Sequence, residues 1–148
     1  MVGGRLLAIG GYSRGNNLST VEAFDPQTGA WAALAPMPTA RTAAGAAVLD
    51  GKIYVVGGVN GTTCLATVEV YDPATNVWSQ APPMSTARGF MGVAALGGKL
   101  YAVGGGNDDE NTLSSAEVFD PQTQTWAPIA SMNTQRKFVM VAAVQGKL

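Results

Sequence analysis

Three arginines carry the clearest chemical signal in this sequence, because they recur at one spacing. Arg41, Arg88 and Arg136 follow one another at steps of 47 and 48 residues. A guanidinium group is planar, always charged and suited to binding carboxylate or phosphate groups through two parallel hydrogen bonds. The functional interpretation of three such groups in phase is a ring of cations for an anionic ligand. A structural role, in which they donate hydrogen bonds to backbone carbonyls of a neighbouring repeat, is the favoured interpretation.

Carboxylates recur with the same period of 47 and 48 residues. A carboxylate repeated in every copy is expected to accept hydrogen bonds within the scaffold, and an aspartate before proline is expected to serve a turn. We therefore predict structural rather than catalytic roles for Glu22, Glu69, Glu117, Asp25, Asp72 and Asp120.

The composition argues against most enzyme and metal chemistry. The 148 residues include no histidine, which excludes Ser-His-Asp and Cys-His catalysis and removes the commonest zinc and copper ligand. We therefore predict no metal and no cofactor. The acidic run Asp108-Asp109-Glu110 offers oxygen ligands for a cation such as Ca²⁺. Its spacing matches no calcium loop, however, and a solvated loop is favoured.

Charge, hydropathy and cysteine content narrow the range of partners. A net charge of −1 gives no electrostatic case for nucleic acid or an anionic membrane. No apolar run in the sequence is long enough for a transmembrane helix. The N-terminal stretch matches the repeat and does not resemble a signal peptide. The single Cys64 excludes an intramolecular disulfide and favours a reducing compartment such as the cytoplasm.

A unit of 47 residues, Gly51 to Gly97, organises the chain and is used three times. A fixed period of this length indicates a repeat architecture. Each copy offers four short apolar or alternating segments separated by turns, and none has helical periodicity, so we predict an all-β fold. The predicted strands lie at 5–10, 20–24, 30–34 and 43–49, at 52–57, 67–71, 77–80 and 90–96, and at 99–104, 115–119, 125–129 and 138–144.

In each copy a glycine doublet ends an apolar strand, and an aromatic residue and a tryptophan follow with six residues between them. This pattern resembles the kelch repeat over nearly the whole chain. The resemblance implies β-propeller blades of four antiparallel strands, in which glycines allow close backbone approach and aromatics fill the space between sheets. The residues that carry it are Gly10, Gly11, Phe24 and Trp31, then Gly57, Gly58, Tyr71 and Trp78, then Gly104, Gly105, Phe119 and Trp126.

The predicted strands amount to three blades, but the first blade lacks its innermost strand, and 138–144 has the sequence of one. We expect a single kelch-repeat domain over 1–148, with repeats at about 4–50, 51–97 and 98–145 and the start of a fourth at 146–148. Three blades cannot close and would leave sheet faces bare. We therefore predict a homodimer that forms a six-bladed ring. The alternatives are a piece of a longer kelch domain and a designed or truncated half-propeller whose only function is self-assembly.

The kelch resemblance implies a non-enzymatic scaffold whose loop faces bind a protein or peptide, and the alternative is a kelch enzyme such as a sugar mutarotase or epimerase. The loops at 12–17, 59–63 and 106–112 differ between copies, and function on a rigid scaffold usually lies in such loops. Phe90 and Phe138 occupy the position of the second and third copies that corresponds to Ala43 of the first. The predicted partner-binding residues are Arg41, Arg88, Phe90, Arg136, Lys137 and Phe138.

Overall fold

Short antiparallel strands account for the regular structure of this chain. A computed structural model describes residues 4–107 and 111–143. These ranges contain no helix, which confirms the predicted all-β class. The strands are β1 (Leu6–Ile9), β2 (Tyr12–Ser13), β3 (Asn16–Asn17), β4 (Val21–Asp25), β5 (Ala30–Ala33), β6 (Gly45–Leu49), β7 (Lys52–Val56), β8 (Val59–Asn60), β9 (Thr63–Cys64), β10 (Val68–Asp72), β11 (Val77–Ala81), β12 (Gly92–Leu96), β13 (Lys99–Val103), β14 (Ala116–Asp120) and β15 (Thr125–Ile129).

Three larger sheets have the form expected of kelch blades. The first has three strands in the order β1-β4-β5, and the second has four in the order β11-β10-β7-β6. The third also has four, in the order β12-β13-β14-β15. Each sheet is an antiparallel meander, because every strand pairs with the next strand of the same sheet. The hairpins β2–β3 and β8–β9 lie in the connections between such strands. The innermost strands β6 and β12 lie side by side. A Cβ atom added to Gly45 would lie only 2.2 Å from Val93 Cγ2, so glycine permits this contact.

The strand predicted at 138–144 does not form in residues 138–143, the part that the structure describes. The segment nevertheless lies beside β12. The amide of Val139 donates to the carbonyl of Phe90 over 3.2 Å, and Val141 packs onto Gly92 as Val93 packs onto Gly45. An innermost strand also needs the second strand of its own blade, as β12 has β13. Residues 138–143 have no such partner within the described ranges, and the segment therefore stays outside any ladder.

The variable loops contain small hairpins where the sequence predicted only irregular structure. In the first copy β2 pairs with β3, and in the second β8 pairs with β9. The third copy has an isolated bridge between Gly106 and Thr112. The acidic run at 108–110 and the start of a fourth repeat at 146–148 lie outside the described residues.

The meander sorts the connections onto two faces of the molecule. One end of the strands carries tight turns, such as Asp72–Asn76, and exposed ion pairs such as Lys52–Asp72, with a nitrogen–oxygen distance of 3.3 Å. The other end carries the long connections. We call it the loop face, and it comprises residues 10–20, 35–44, 57–67, 82–91, 104–107, 111–115 and 130–138.

The core lies between adjacent sheets, as a stack of blades requires. A sheet cannot cover its own faces, so each cluster combines residues from two neighbouring blades. The buried members are Val21, Met37, Ile53, Val55 and Tyr71 in the first cluster and Val56, Val68, Met84, Met91 and Ala102 in the second.

Candidate functional site

Arg41 lies in the interior and connects the first blade to the second. The residue is 1% exposed. Its backbone is fixed on the loop face, where its carbonyl accepts from Gly11 N at 2.9 Å. Its guanidinium donates from Nη1 to the carbonyls of Gly57 at 2.7 Å and Thr67 at 3.2 Å, and from Nη2 to Thr67 Oγ1 at 3.2 Å. These contacts hold one blade to the next.

Arg88 repeats the arrangement between the second blade and the third. It is 0% exposed. Its Nη1 atom donates to the carbonyls of Gly104 and Ser115, both at 3.0 Å, and its Nη2 atom donates to Ser115 Oγ at 3.2 Å. Its own carbonyl accepts from Gly58 N at 3.0 Å. A Cβ atom at Gly57, whose φ is 58°, would lie 2.5 Å from that carbonyl oxygen, so a side chain there would break the junction.

Each buried arginine meets a buried glutamate, but the two glutamates differ in their further contacts. Glu69 Oε1 lies 3.0 Å from Arg41 Nη2, and Glu117 Oε1 lies 2.8 Å from Arg88 Nη2. Glu117 also accepts from the amide and the hydroxyl of Ser85 and from Thr86 N at 3.1 Å. Neither carboxylate oxygen of Glu69 has an aligned hydrogen bond in the described part of the chain.

The surroundings shift the pKa of Glu117 and the pKa of Arg41. Burial raises the pKa of Glu117, but the hydrogen bonds from Ser85 and the charge of Arg88 outweigh burial, and the net change in pKa is downward. Burial lowers the pKa of Arg41, and the opposite charge of Glu69 offsets only part of that. Such buried, mutually bonded groups hold blades together. The prediction of a partner-binding role is therefore revised for Arg41 and Arg88, because neither faces solvent.

Arg136 occupies the same backbone position in the third copy but has a different environment. Its carbonyl accepts from Gly105 N at 2.8 Å and its amide donates to Leu113 O at 3.0 Å, as in the other two copies. Its side chain is exposed and makes no ion pair or hydrogen bond within residues 4–107 and 111–143. Glu22, the corresponding carboxylate of the first copy, is also exposed. In the described chain Arg136 and Glu22 therefore do not pair with each other.

Phe90 and Phe138 form an aromatic pair on the loop face. Their ring centroids are 4.6 Å apart, and Phe138 is 69% exposed. Both residues have left-handed backbone angles, with φ of 56° and 59°. Ala43, at the same position of the first copy, has φ of 52°. A bulky side chain at such an angle is uncommon, and strained positions of this kind concentrate at functional sites.

A hollow of about 380 Å³ adjoins this pair. Its walls come from the second and third variable loops and from residues just after Arg88 and Arg136. They include Val59, Thr62, Cys64, Phe90, Asn107 and Lys137. The Cys64 thiol lies 3.4 Å from the carbonyl oxygen of Gly106 and links the two loops. Lys137 is exposed at the rim. The hollow therefore combines an apolar wall with one cation.

The aromatic residues of the motif lie between blades. The paired rings of each copy have centroids 5.1 to 5.3 Å apart. Trp78 Nε1 donates to the carbonyl of Ala35 at 2.8 Å, and Trp126 Nε1 donates to that of Pro82 at 2.9 Å. Each tryptophan thus reaches the preceding blade. Trp31 has no preceding blade in the described chain and is 53% exposed.

Several residues of these junctions were absent from the sequence prediction. Asn76 Oδ1 accepts from the hydroxyl of Tyr71 at 2.8 Å and from Ala35 N at 3.1 Å, so it links two blades. The hydroxyls of Thr67 and Ser115 accept from the arginines. A signal for the hydroxyls was present, because Thr20, Thr67 and Ser115 recur at steps of 47 and 48. Asn76 offered no such signal, since it is replaced in the other copies.

The match to known proteins agrees with this geometry. A family model described as the KLHDC2/KLHL20/DRC7 Kelch-repeats domain matches residues 1–148. The chain belongs to the kelch-repeat family. A curated mouse protein, the influenza virus NS1A-binding protein homolog, is 52% identical over 48 residues, which are 32% of this kelch chain and 8% of that protein.

Kelch-repeat domains are typically protein-interaction scaffolds. In the two described ranges no three Cys, Asp or Glu side chains lie together in a way that could hold a metal ion. No helical segment suited to spanning a membrane occurs in residues 4–107 or 111–143.

Proposed function

We propose that this chain is a non-enzymatic scaffold that binds a protein or peptide on its loop face, at Phe90, Phe138 and Lys137. The observation that carries the proposal is the Phe90–Phe138 pair. All three copies have a left-handed backbone angle at this position, so the angle belongs to the repeat. The second and third copies place large rings where the first has Ala43, and the ring of Phe138 is 69% exposed. Leaving a large apolar ring in water is unfavourable, and a binding role explains why the rings are present.

The chemistry of the surface indicates the class of partner. Aromatic residues, phenylalanine among them, are enriched at the cores of protein interfaces. Lys137 adds an exposed cation beside the rings, in a chain whose overall net charge is −1. We therefore expect an extended peptide segment that offers an apolar side chain to the hollow and a carboxylate to Lys137.

Selection from a random peptide library on the immobilised chain tests this proposal, with binding constants then measured by calorimetry. Phe138→Ala and Phe90→Ala install the residue that the first copy uses at this backbone angle, and both variants should fold. Peptides selected on the parent chain should lose at least about tenfold in affinity for each variant. Tyr12→Ala, at another exposed aromatic of the loop face, is the control and should not weaken binding. Peptides that bind all variants equally would overturn the proposal.

We further propose that two copies close a six-bladed ring. Among the described residues, β1 is an edge strand of the first blade, and a groove of about 210 Å³ lies between β1 and β6. The groove is lined by apolar side chains such as Leu7, Ile9 and Val48. Residues 138–143 have the position of an innermost strand and no ladder partner in the described chain. Residues 138–143 of a second copy would lie in this groove and pair with β1. Each segment would then have the neighbouring strand that it lacks in the single described chain.

Light scattering on a size-exclusion column, over a dilution series, tests the ring. One chain has a mass of 15.2 kDa, so the closed ring should elute with twice that mass. Met140→Lys places a charge in the segment that would enter the groove, at a side chain that is 97% exposed in the single chain, and it should shift the equilibrium to monomer. Val77→Lys, at an exposed valine of an outer strand, should leave the mass unchanged. A monomer at every concentration would overturn this proposal and leave the peptide proposal standing.

The enzyme alternative is less well supported. A sugar mutarotase or epimerase needs acid and base groups that are open to a substrate. The candidates are Glu69 and Glu117 with their arginines, and these four groups are buried against one another. Their geometry favours cohesion between blades over proton transfer.

A further inference from the structure

Two charged side chains on opposite sides of the described chain are counterparts of residues that are paired elsewhere in it. Arg136 corresponds to Arg41 and Arg88, and Glu22 corresponds to Glu69 and Glu117. In both internal junctions the arginine of one copy is bonded to the glutamate of the next copy. The arginine of the third copy and the glutamate of the first are both exposed.

The arginine side of the third junction is already assembled. The amide of Arg136 donates to Leu113 O and its carbonyl accepts from Gly105 N, at 3.0 and 2.8 Å. Arg88 has the same two contacts, with Leu65 O at 3.1 Å and Gly58 N at 3.0 Å. The backbone therefore presents the third guanidinium as it presents the other two, toward the place of the next blade.

The acceptor side is assembled in the first blade. Arg41 is received by the carbonyls of Gly57 and Thr67, by the Thr67 hydroxyl and by Glu69. The first copy has the same three residue types at the same spacing, Gly10, Thr20 and Glu22. Their backbone also has the same arrangement, because Gly10 N donates to Thr20 O at 2.9 Å as Gly57 N donates to Thr67 O at 3.0 Å.

We propose that the Arg136 guanidinium of one copy binds the carbonyls of Gly10 and Thr20 and the carboxylate of Glu22 in a second copy. The inference rests on the proposed ring and adds to it a specific charged contact, which occurs twice in the two-fold assembly. The occupant is a second copy of this chain, because the junction continues an interface that the chain already forms twice within itself.

The same register assigns two accompanying contacts. Trp31 takes the place of Trp78 and Trp126, and the acceptor that corresponds to Ala35 and Pro82 is the carbonyl of Ala130 in the other copy. Asn133 corresponds to Ser85 and, unlike Pro38, retains an amide that can donate to the Glu22 carboxylate. The contact at the ring junction therefore resembles the better-bonded second junction more than the first.

The test compares the dissociation constants of dimers in sedimentation equilibrium. Arg136→Met and Glu22→Gln each remove one side of the contact, and both change exposed positions of the single chain, so folding is retained. Each dimer should dissociate at a concentration at least about 30-fold higher than the parent's. Arg14→Met is the matched control for lost cationic charge, and Asp50→Asn is the control for lost anionic charge. Both should dissociate at the parent's concentration.

A double substitution separates a direct contact from a general effect on the surface. Arg136→Met combined with Glu22→Gln leaves no uncompensated charge in the junction, so its effect should be smaller than the product of the two single effects. Effects that simply multiply would overturn the bridge. Single variants that dimerise as tightly as the parent would also overturn it, while the ring would stand. A parent chain that is monomeric throughout would remove both the ring and the bridge.

Discussion

The junction between the first and second blades and the junction between the second and third differ in how many donors reach the buried carboxylate. Glu117 accepts from Arg88 and from the amides of Ser85 and Thr86, as well as from the Ser85 hydroxyl. Among the described residues, Glu69 has only the contact with Arg41. Two of the missing donors are explained by one position, because the first copy has Pro38 where the second has Ser85.

The difference shows how a repeat protein distributes the cost of a buried charge. Proline has neither an amide hydrogen nor a hydroxyl, and it removes two donors from the first junction. The amide of Thr39, which corresponds to Thr86, also makes no hydrogen bond to Glu69 in the described residues. A buried carboxylate that lacks hydrogen-bond donors destabilises the fold. We therefore expect the stability of the first junction to depend almost entirely on Arg41, whereas several groups stabilise the carboxylate of the second.

Replacement of the arginines should have the largest effect and should rank the two junctions. Removing one member of a buried ion pair costs about 3–5 kcal/mol. We expect Arg41→Met near the upper end of that range, because Glu69 keeps no other donor, and Arg88→Met near the lower end. Urea unfolding at neutral pH measures both free energies. Arg5→Met, at an exposed pair with a 3.7 Å separation, is the control and should cost less than about 1 kcal/mol. The reverse ranking would contradict the comparison.

Exchanging the residues at the variable position should bring the two junctions closer together. Ser85→Pro removes two hydrogen bonds to a charged group, and we expect a loss of about 3 kcal/mol. Pro38→Ser supplies the missing donors to Glu69 and should stabilise the chain by about 1 kcal/mol, after the loss of proline's rigidity. Thermal unfolding followed by circular dichroism would measure both. Destabilisation by Pro38→Ser would mean that the backbone at this position differs between the copies.

The contribution of the Ser85 hydroxyl should depend on pH. A carboxyl whose folded-state pKa lies below its unfolded value of about 4.3 stabilises the fold at neutral pH. That contribution is lost as pH falls through the folded-state pKa. Because the pKa of Glu117 is lowered by Ser85 and Arg88, Ser85→Ala should cost about 1.5 kcal/mol at pH 7. Its cost should shrink toward zero as the pH falls through the folded-state pKa of Glu117. Ser79→Ala, on an exposed strand position, should show no such trend.

The sequence predicted most of the fold because the repeat supplies several independent signals at each position. Strand order and blade number follow from alternating residues, glycine doublets and the Asp-Pro turns. The strand at 138–144 was wrong for residues 138–143, since local pattern does not supply the partner that a ladder needs. Periodicity located the arginines and glutamates of the junctions, but it could not distinguish an open ring of cations from buried pairs. That distinction depends on burial, which only the packing of neighbouring blades determines.

The smallest expected loss of stability concerns the tryptophans. It compares Trp78, at an internal junction, with Trp31, on the uncovered face of the first blade. Trp78→Phe removes the hydrogen bond to the Ala35 carbonyl, and we expect a loss of about 1 kcal/mol. Trp31→Phe, whose ring is 53% exposed, should cost less than about 0.5 kcal/mol at concentrations where the chain is monomeric.

The concentration dependence of the Trp31 effect makes this prediction decisive. If a second copy supplies the missing blade, Trp31→Phe should also weaken the dimer by about 30-fold, because one hydrogen bond of about 1 kcal/mol is lost at each of the two boundaries. Trp78→Phe removes a contact within the chain and should leave the dimer constant unchanged. Fluorescence quenching by acrylamide gives a second readout, since Trp31 should become less accessible as the concentration rises. A Trp31 that stays equally accessible in the dimer would place the contact between copies elsewhere on the molecule.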